Sequence, residues 1–306
     1  MTAYNLITNA EIDPESPVTE SLMQRLRDNP IAMAEGDPVA PRINPAAISI
    51  GGKGSDGVFN NATTITGGPG FYDFASVSRS TNITLPVYTV MRVAGNSTWS
   101  GVVTLPTLSD TLETRLQEKD KCEMLGAILG ADADTTGDGG GSYGGDGLFA
   151  FNVGLGTRGR KIGAYNYWSS RRAVVGGVGD IGSSARGGGG ALVLVVEGNL
   201  DLTGCSVIAN GQVSAPGNKG GSGAGSIIIV ATGTITGGTF TAKGGASQGA
   251  GAAGGSGVVQ LVCSGFLGSQ TIDVAGVSSG GTTSEAGLSS SITMSADFIR
   301  TLFQRL

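Results

Sequence analysis

Three stretches decide the fold: Gly190-ALVLVVE-Gly198, Gly225-SIIIVAT-Gly233 and Gly257-VVQLVCS-Gly265. Each sets an apolar, β-branched run between glycines eight residues apart. Each is followed by a second β segment: Cys205–Ala209, Thr239–Ala242 and Thr271–Ala275. The starts lie 35 and 32 residues apart, and tracts such as GNKGGSGAG and GASQGAGAAGGSG join them. A near-constant period, two β segments per unit and glycine at the corners predict a solenoid-like or stacked-sheet repeat. A run such as Ile227–Val230 shows no alternation, as expected of a parallel strand covered on both faces. Glycine serves where a corner needs positive φ or where backbones meet closely. The tracts are therefore expected to be ordered loops or polyglycine-II-like packing rather than linkers. Thr89-VMRVA-Gly95-NSTWSGVVT reads as an earlier, degenerate copy separated from the rest by an insertion.

Composition fits this reading. The chain has 306 residues, 55 of them glycine, with 14% charged residues, 6% aromatics and a formal charge of −5. Glycine follows no G-X-Y register, which excludes collagen. Histidine is absent, which removes Ser–His–Asp and Cys–His catalysis, His-ligated zinc and His-based pH switching. Cys122, Cys205 and Cys263 are odd in number and widely spaced, so buried free thiols are expected. The opening MTAYNLITNAEIDPES has neither a basic nor an apolar leader region, so synthesis in a cytoplasm is expected. The longest apolar run, Ala191–Val196, is too short to span a membrane.

The flanks differ from the repeats. In residues 1–43, Ser16-Pro17 reads as an N-cap with Pro at the first helical position. Val18, Leu22, Met23 and Leu26 form one apolar stripe, Asn29-Pro30 is the expected stop, and a short turn at Ile31–Glu35 precedes the Pro-rich DPVAPRINP. A helix this short must dock on something. Residues 44–107 form a first β region. Residues 108–189 begin with a helix capped by Ser109-Asp110, with Leu112 and Leu116 on one face, and continue into a glycine- and aromatic-rich excursion. Residues 190–283 hold the repeats. In 284–306, Ser295 caps a short amphipathic helix whose face of Phe298, Ile299, Leu302, Phe303 and Leu306 is expected to be buried on this chain's own core or on a neighbour.

Candidate sites are few. Arg158, Arg160, Lys161, Arg171, Arg172 and Arg186 oppose a lone Asp180, with Tyr165, Tyr167 and Trp168 among them. That mixture suits an anionic ligand or an assembly interface, with nucleic acid disfavoured. Gly51-Gly52-Lys53-Gly54-Ser55-Asp56-Gly57-Val58-Phe59 matches one copy of a calcium nonapeptide whose ions need tandem copies. Asp132, Asp134 and Asp138 follow EF-type spacing, but the twelfth position is Tyr143 instead of Glu. A tight turn is the expected role of both stretches. Glu197, Asp201 and Asp273 lie on repeat strands, but nothing pairs them as a glycosidase requires. No cofactor and no enzyme activity are expected.

The stretch Ile7-TNAEIDPESPVTESLMQRLRDNPIAMAEG-Gly36 resembles a segment near the start of virion proteins of tailed bacteriophages. GGKGSDGVFNN and GSIIIVATGTITGGTFTAKGG resemble the glycine-rich β-repeat region of phage fibre, spike and adhesin-like proteins. The resemblance covers roughly 1–60 and 190–276. It implies a structural virion component, homo-oligomeric and trimeric by first expectation, assembled in the host cytoplasm. Its N-terminus would anchor to other virion proteins, and its distal part would contact a host-surface glycan. A tail, neck or head-decorating protein touching only other virion proteins is the alternative. A glycan-degrading tailspike is the alternative from another class.

Overall fold

The computed structural model describes residues 3, 5–8, 17–35, 50–65, 69–109, 111–125, 127–129, 173–179, 186–214, 216, 220–248, 252–279, 282–284 and 286–303. The chain divides into two compact units, residues 1–47 and 48–306. In the first, α1 spans Glu20–Glu35. Thr19, not Ser16, caps it: Thr19 Oγ1 accepts the Leu22 N–H at 3.2 Å. The helix also continues through Pro30 where a stop was expected. A proline inside a helix removes one N–H donor. Asn29 beside it clasps the preceding segment, its side chain accepting from Asn5 N–H at 2.9 Å and donating to Asn5 C=O at 2.8 Å.

The second unit is mainly β. It opens with β1 (Val58–Asn60). A first layer follows: β2 (Gly70–Phe74), β3 (Ser76–Arg79) and β4 (Ile83–Thr84). The second layer is β5 (Tyr88–Val93), β6 (Ser97–Trp99) and β7 (Gly101–Thr104). After α2 (Leu112–Met124) and the two-residue strands β8 (Ile128–Leu129) and β9 (Val174–Val175) come three more layers. These are β10 (Ala191–Val196), β11 (Leu200–Asp201) and β12 (Cys205–Ile208); β13 (Ser226–Ala231), β14 (Thr234–Thr236) and β15 (Thr239–Thr241); and β16 (Val258–Cys263), β17 (Gly265–Leu267) and β18 (Thr271–Asp273). A short antiparallel pair, β19 (Ser278–Ser279) and β20 (Thr282–Thr283), precedes β21 (Leu288–Thr293) and α3 (Ala296–Phe303).

Each layer gives one strand to each of three sheets. Their orders are β2-β5-β10-β13-β16-β21, β1-β3-β6-β11-β14-β17 and β18-β15-β12-β7-β4. Among the described residues, every strand pairing within these three sheets is parallel. The unit therefore holds three strands, not the expected two. The middle one is only two or three residues long in the last three layers, too short for an alternation to show. The insertion leaves after β7 and returns at β10, which pairs directly with β5 (Ala191↔Tyr88 to Val196↔Val93).

The three sheets enclose one apolar core. Leu192, Ile227 and Val259 stack in register, as do Leu194, Ile229 and Leu261. Phe59, Trp99 and Phe240 enter from the other two sheets. The first sheet is covered on its outer face as well. Val193, Val195, Ile228, Val230 and Val262 form a second cluster with Val174, Val175 and Val178, Cys122 of α2, and Ile299 and Phe303 of α3. Hence β10, β13 and β16 are buried at every position, while strands of the other two sheets, such as β12 and β15, alternate. At about 1.5–3 kcal/mol per buried Ile, Val or Leu side chain, this doubly covered sheet is the chief source of stability.

The described residues of the glycine tracts hydrogen-bond to one another and to neighbouring segments. The 186–190 tract bonds to three different segments: Leu108 N–H to Gly188 C=O at 2.9 Å, Gly176 N–H to Gly189 C=O at 2.8 Å, and Gly189 N–H to Gly223 C=O at 2.8 Å. Gly254 N–H donates to Gly245 C=O at 2.9 Å and Gly245 N–H to Ser222 C=O at 2.7 Å. The left-handed glycines of the repeats lie at the short turns instead, at Gly198, Gly204, Gly237, Gly238 and Gly268. In the tracts it is the missing Cβ that matters. A Cβ on Gly189 would lie 2.5 Å from the Ala209 carbonyl oxygen and 2.7 Å from both Asn210 O and Gly225 N.

Candidate functional site

In the N-terminal unit, the apolar stripe is split. Leu22 is 7% exposed, whereas Val18 is 74%, Met23 55% and Leu26 52% exposed. The helix buries Leu22 and Ala32 and leaves Met23 and Leu26 exposed, as is Val18 just before it.

The C-terminal helix is docked within its own unit. Ser295 caps it, its Oγ accepting the Phe298 N–H at 3.3 Å. Ile299 and Phe303 are buried on the first sheet, Leu302 packs beside them, and Phe298 is 54% exposed. Of the expected docking face, Ile299 and Phe303 are thus already occupied by this chain's own core; Leu306 lies outside the described residues. An ion pair fixes the helix: Arg300 reaches Glu197 Oε1 at 2.7 and 2.9 Å and Asp297 at 3.1 Å. Glu197 also accepts from Ile50 N–H at 3.0 Å and Thr232 Oγ1 at 3.0 Å. The partners are 103 residues apart, and the only trace in the sequence is a Glu closing an otherwise apolar strand.

The Gly51–Gly57 loop holds an anion of this chain. With Gly52 and Gly54 at φ +79° and +75°, the loop turns successive N–H groups inward, a geometry that cradles negative charge. Asp73 fills it: its carboxylate accepts from Lys53 N–H at 3.1 Å, Gly54 N–H at 2.9 Å and Ser55 Oγ at 3.3 Å. Burial pushes the Asp73 carboxyl up, but these hydrogen bonds outweigh it and hold the group below the usual carboxylate range. Asp56, the loop's candidate calcium ligand, instead accepts the Asp73 N–H at 2.7 Å. Nothing in the sequence ties the loop to Asp73; only the fold brings them together.

The remaining carboxylates are separated and engaged. Asp201, in the second sheet, accepts from Thr203 N–H at 2.9 Å, and the Thr203 side chain and N–H together hold its carboxyl low. Asp273, in the third sheet, pairs with Lys243 at 2.6 Å, and that contact holds it low. Neither faces Glu197. Among the described residues, no group of three or more His, Cys, Asp and Glu could hold a metal ion. No described helix is long and apolar enough to cross a membrane. Cys122, Cys205 and Cys263 are free and buried. The candidate cation–aromatic patch (Arg158, Arg160, Lys161, Tyr165, Tyr167, Trp168, Arg171, Arg172) and Asp132, Asp134 and Asp138 lie outside the described residues. Sequence reasoning also missed Arg79. It is buried 5.0 Å over the Phe59 ring and donates to Asn60 C=O at 2.6 Å and Thr63 C=O at 3.0 Å.

Neither a family model, nor a curated protein, nor a solved structure matches the chain.

Proposed function

We propose that this chain is a non-enzymatic structural component of a tailed-phage virion, a fibre or spike that joins the particle through its N-terminal unit and meets the host surface with its body. The observation that carries the reading is the pairing of two units. A small helical one retains exposed Val18, Met23 and Leu26, and a separately cored body stacks three parallel sheets. We read the body as a β-solenoid, in which each layer buries its apolar face on the next and the glycine tracts pack as ordered filler. The engagement of Glu197 by Arg300, Asp201 by Thr203 and Asp273 by Lys243 supports a structural over a glycan-degrading role. The resemblance of residues 7–36 supplies the particle context and the expectation of a trimer. Ile299 and Phe303 are already buried within one chain, so this reading does not use them as oligomer contacts.

The test is incorporation. Particles assembled with the full chain should carry it, and particles assembled with residues 48–306 alone should not. Equal incorporation of both forms would refute the anchor. Incorporation of the full chain without any effect of anti-body antibodies on host attachment would favour a tail, neck or head protein that touches only other virion proteins.

A further inference from the structure

One groove of the body sets a charged side chain with an unpartnered, buried nitrogen beside an exposed aromatic ring. Strand alternation sets Phe71 and Asp73 of β2 and Arg92 of β5 opposite the core-facing Phe74, Met91 and Val93. With Ser55, Asp56 and Tyr72 they line an open groove of about 340 Å³. Asp73 and Arg92 are direct neighbours across the parallel pair, where opposite charges ordinarily meet. Here they do not form an ion pair, because the Asp73 carboxylate is turned into the Lys53–Ser55 cradle. The Arg92 side chain is left with no hydrogen bond or ion pair among the described residues, and its Nε is fully buried. A half-buried guanidinium in that state carries a desolvation cost that a ligand would offset.

The groove's other walls say what ligand. Phe71 is 55% exposed and offers an apolar ring at the rim. Asp56 spends Oδ2 on the Asp73 N–H and has acceptor capacity to spare, and Ser55 adds a hydroxyl. A donor fork, a carboxylate acceptor and an exposed ring are complementary to vicinal sugar hydroxyls and to the C–H face of a pyranose. The charge selects among sugars. Two carboxylates stand against one guanidinium, so an acidic sugar or a phosphate meets net repulsion, and a neutral one does not. We propose that this groove binds a neutral pyranose unit, with Arg92 and Asp56 sharing its hydroxyls and Phe71 stacking on its ring. The inference rests on the reading of the body as the host-contacting part and assigns that contact to residues 55–92.

The experiment is saturation-transfer NMR on the full chain with glucose, galactose and N-acetylglucosamine in turn, and with glucuronate as the acidic comparison. At least one neutral sugar should show transfer. Phe71→Ser and Arg92→Gln should each weaken its affinity tenfold or more with the melting temperature unchanged, and Phe71→Tyr, which keeps the ring, should retain it. No transfer from any neutral sugar, undiminished binding in both variants, or preferential binding of glucuronate would overturn the proposal. A chain that is found on virions and binds no sugar removes this site and leaves the structural role standing. A chain that binds sugar and is absent from virions does the reverse.

Discussion

Substituting Gly189 by Ala separates ordered glycine packing from flexible linkage by the sign of its effect. The new Cβ would lie 2.5 Å from Ala209 O and 2.7 Å from Asn210 O and Gly225 N. Ordinary contact lies near 3.4 Å, so the Ala209–Asn210 and Gly225 segments must draw back from the new Cβ by about 0.7–0.9 Å. That displacement falls on Gly189 N–H to Gly223 C=O and Gly176 N–H to Gly189 C=O, both 2.8 Å, and on Gly225 N–H to Ala209 C=O at 2.9 Å. Lengthened by that amount, they leave hydrogen-bonding range. Two or three lost bonds at about 1 kcal/mol each, with about 1–3 kcal/mol of overpacking, give a destabilisation of roughly 3–5 kcal/mol. A glycine in a flexible linker would instead gain about 0.4–1 kcal/mol when replaced by Ala, through lost entropy of the unfolded chain. Gly265→Ala is the internal control: its Cβ would meet nothing nearer than Thr234 Cγ2 at 3.7 Å, and its effect should stay within about 1 kcal/mol. Urea unfolding of the three proteins reads the difference as a shift in midpoint. A Gly189→Ala midpoint equal to or above that of the parent would refute the packing argument.

Three further outcomes follow from the same structure. Phe303→Ala should cost about 3–5 kcal/mol in thermal unfolding, because the side chain is 2% exposed in the outer cluster, whereas Phe298→Ser should stay within about 0.5 kcal/mol. Asp73 has a depressed carboxyl pKa in the folded chain, so its contribution is present above the unfolded value of about 3.9 and is lost as pH falls through the lower folded value. Protection of the Lys53 and Gly54 amides, relative to their intrinsic exchange rates, should therefore be high near neutral pH and fall only in strong acid, while Asp73→Asn should abolish that pH dependence. Burial pushes the Cys122 and Cys205 thiols up to about 12 and also raises Cys263. A disulfide reagent near pH 8 should thus label none of the three in the native chain and all of them in denaturant.

What was legible in the sequence follows from which signals are local. The run Ile227–Val230 lacks alternation because both its faces are covered, and that absence is readable from four residues. The middle strands were not readable: Leu200–Asp201 is too short to show a period. Strand β21 was hidden for another reason. Its LSSSIT has no apolar run, and its last-in-line position leaves it exposed at alternate positions. Helix boundaries moved for want of a choice among competent caps, Thr19 replacing Ser16, and Pro30 lies inside α1 because a single lost N–H donor does not by itself end a helix. On α2, Leu116 is exposed while Arg115 and Cys122 are buried, a face that apolar spacing alone misassigns. The Asp73 cradle and the Glu197–Arg300 pair join residues 19 and 103 positions apart, and such pairings exist only once the layers have stacked.

We propose that this chain is built into the exterior of a tailed-phage particle. The most direct test is immuno-electron microscopy and mass spectrometry of purified virions with an antibody against residues 48–306. The account predicts the chain among the virion proteins, with label on an external appendage. Its absence from particles that are otherwise complete would contradict the account.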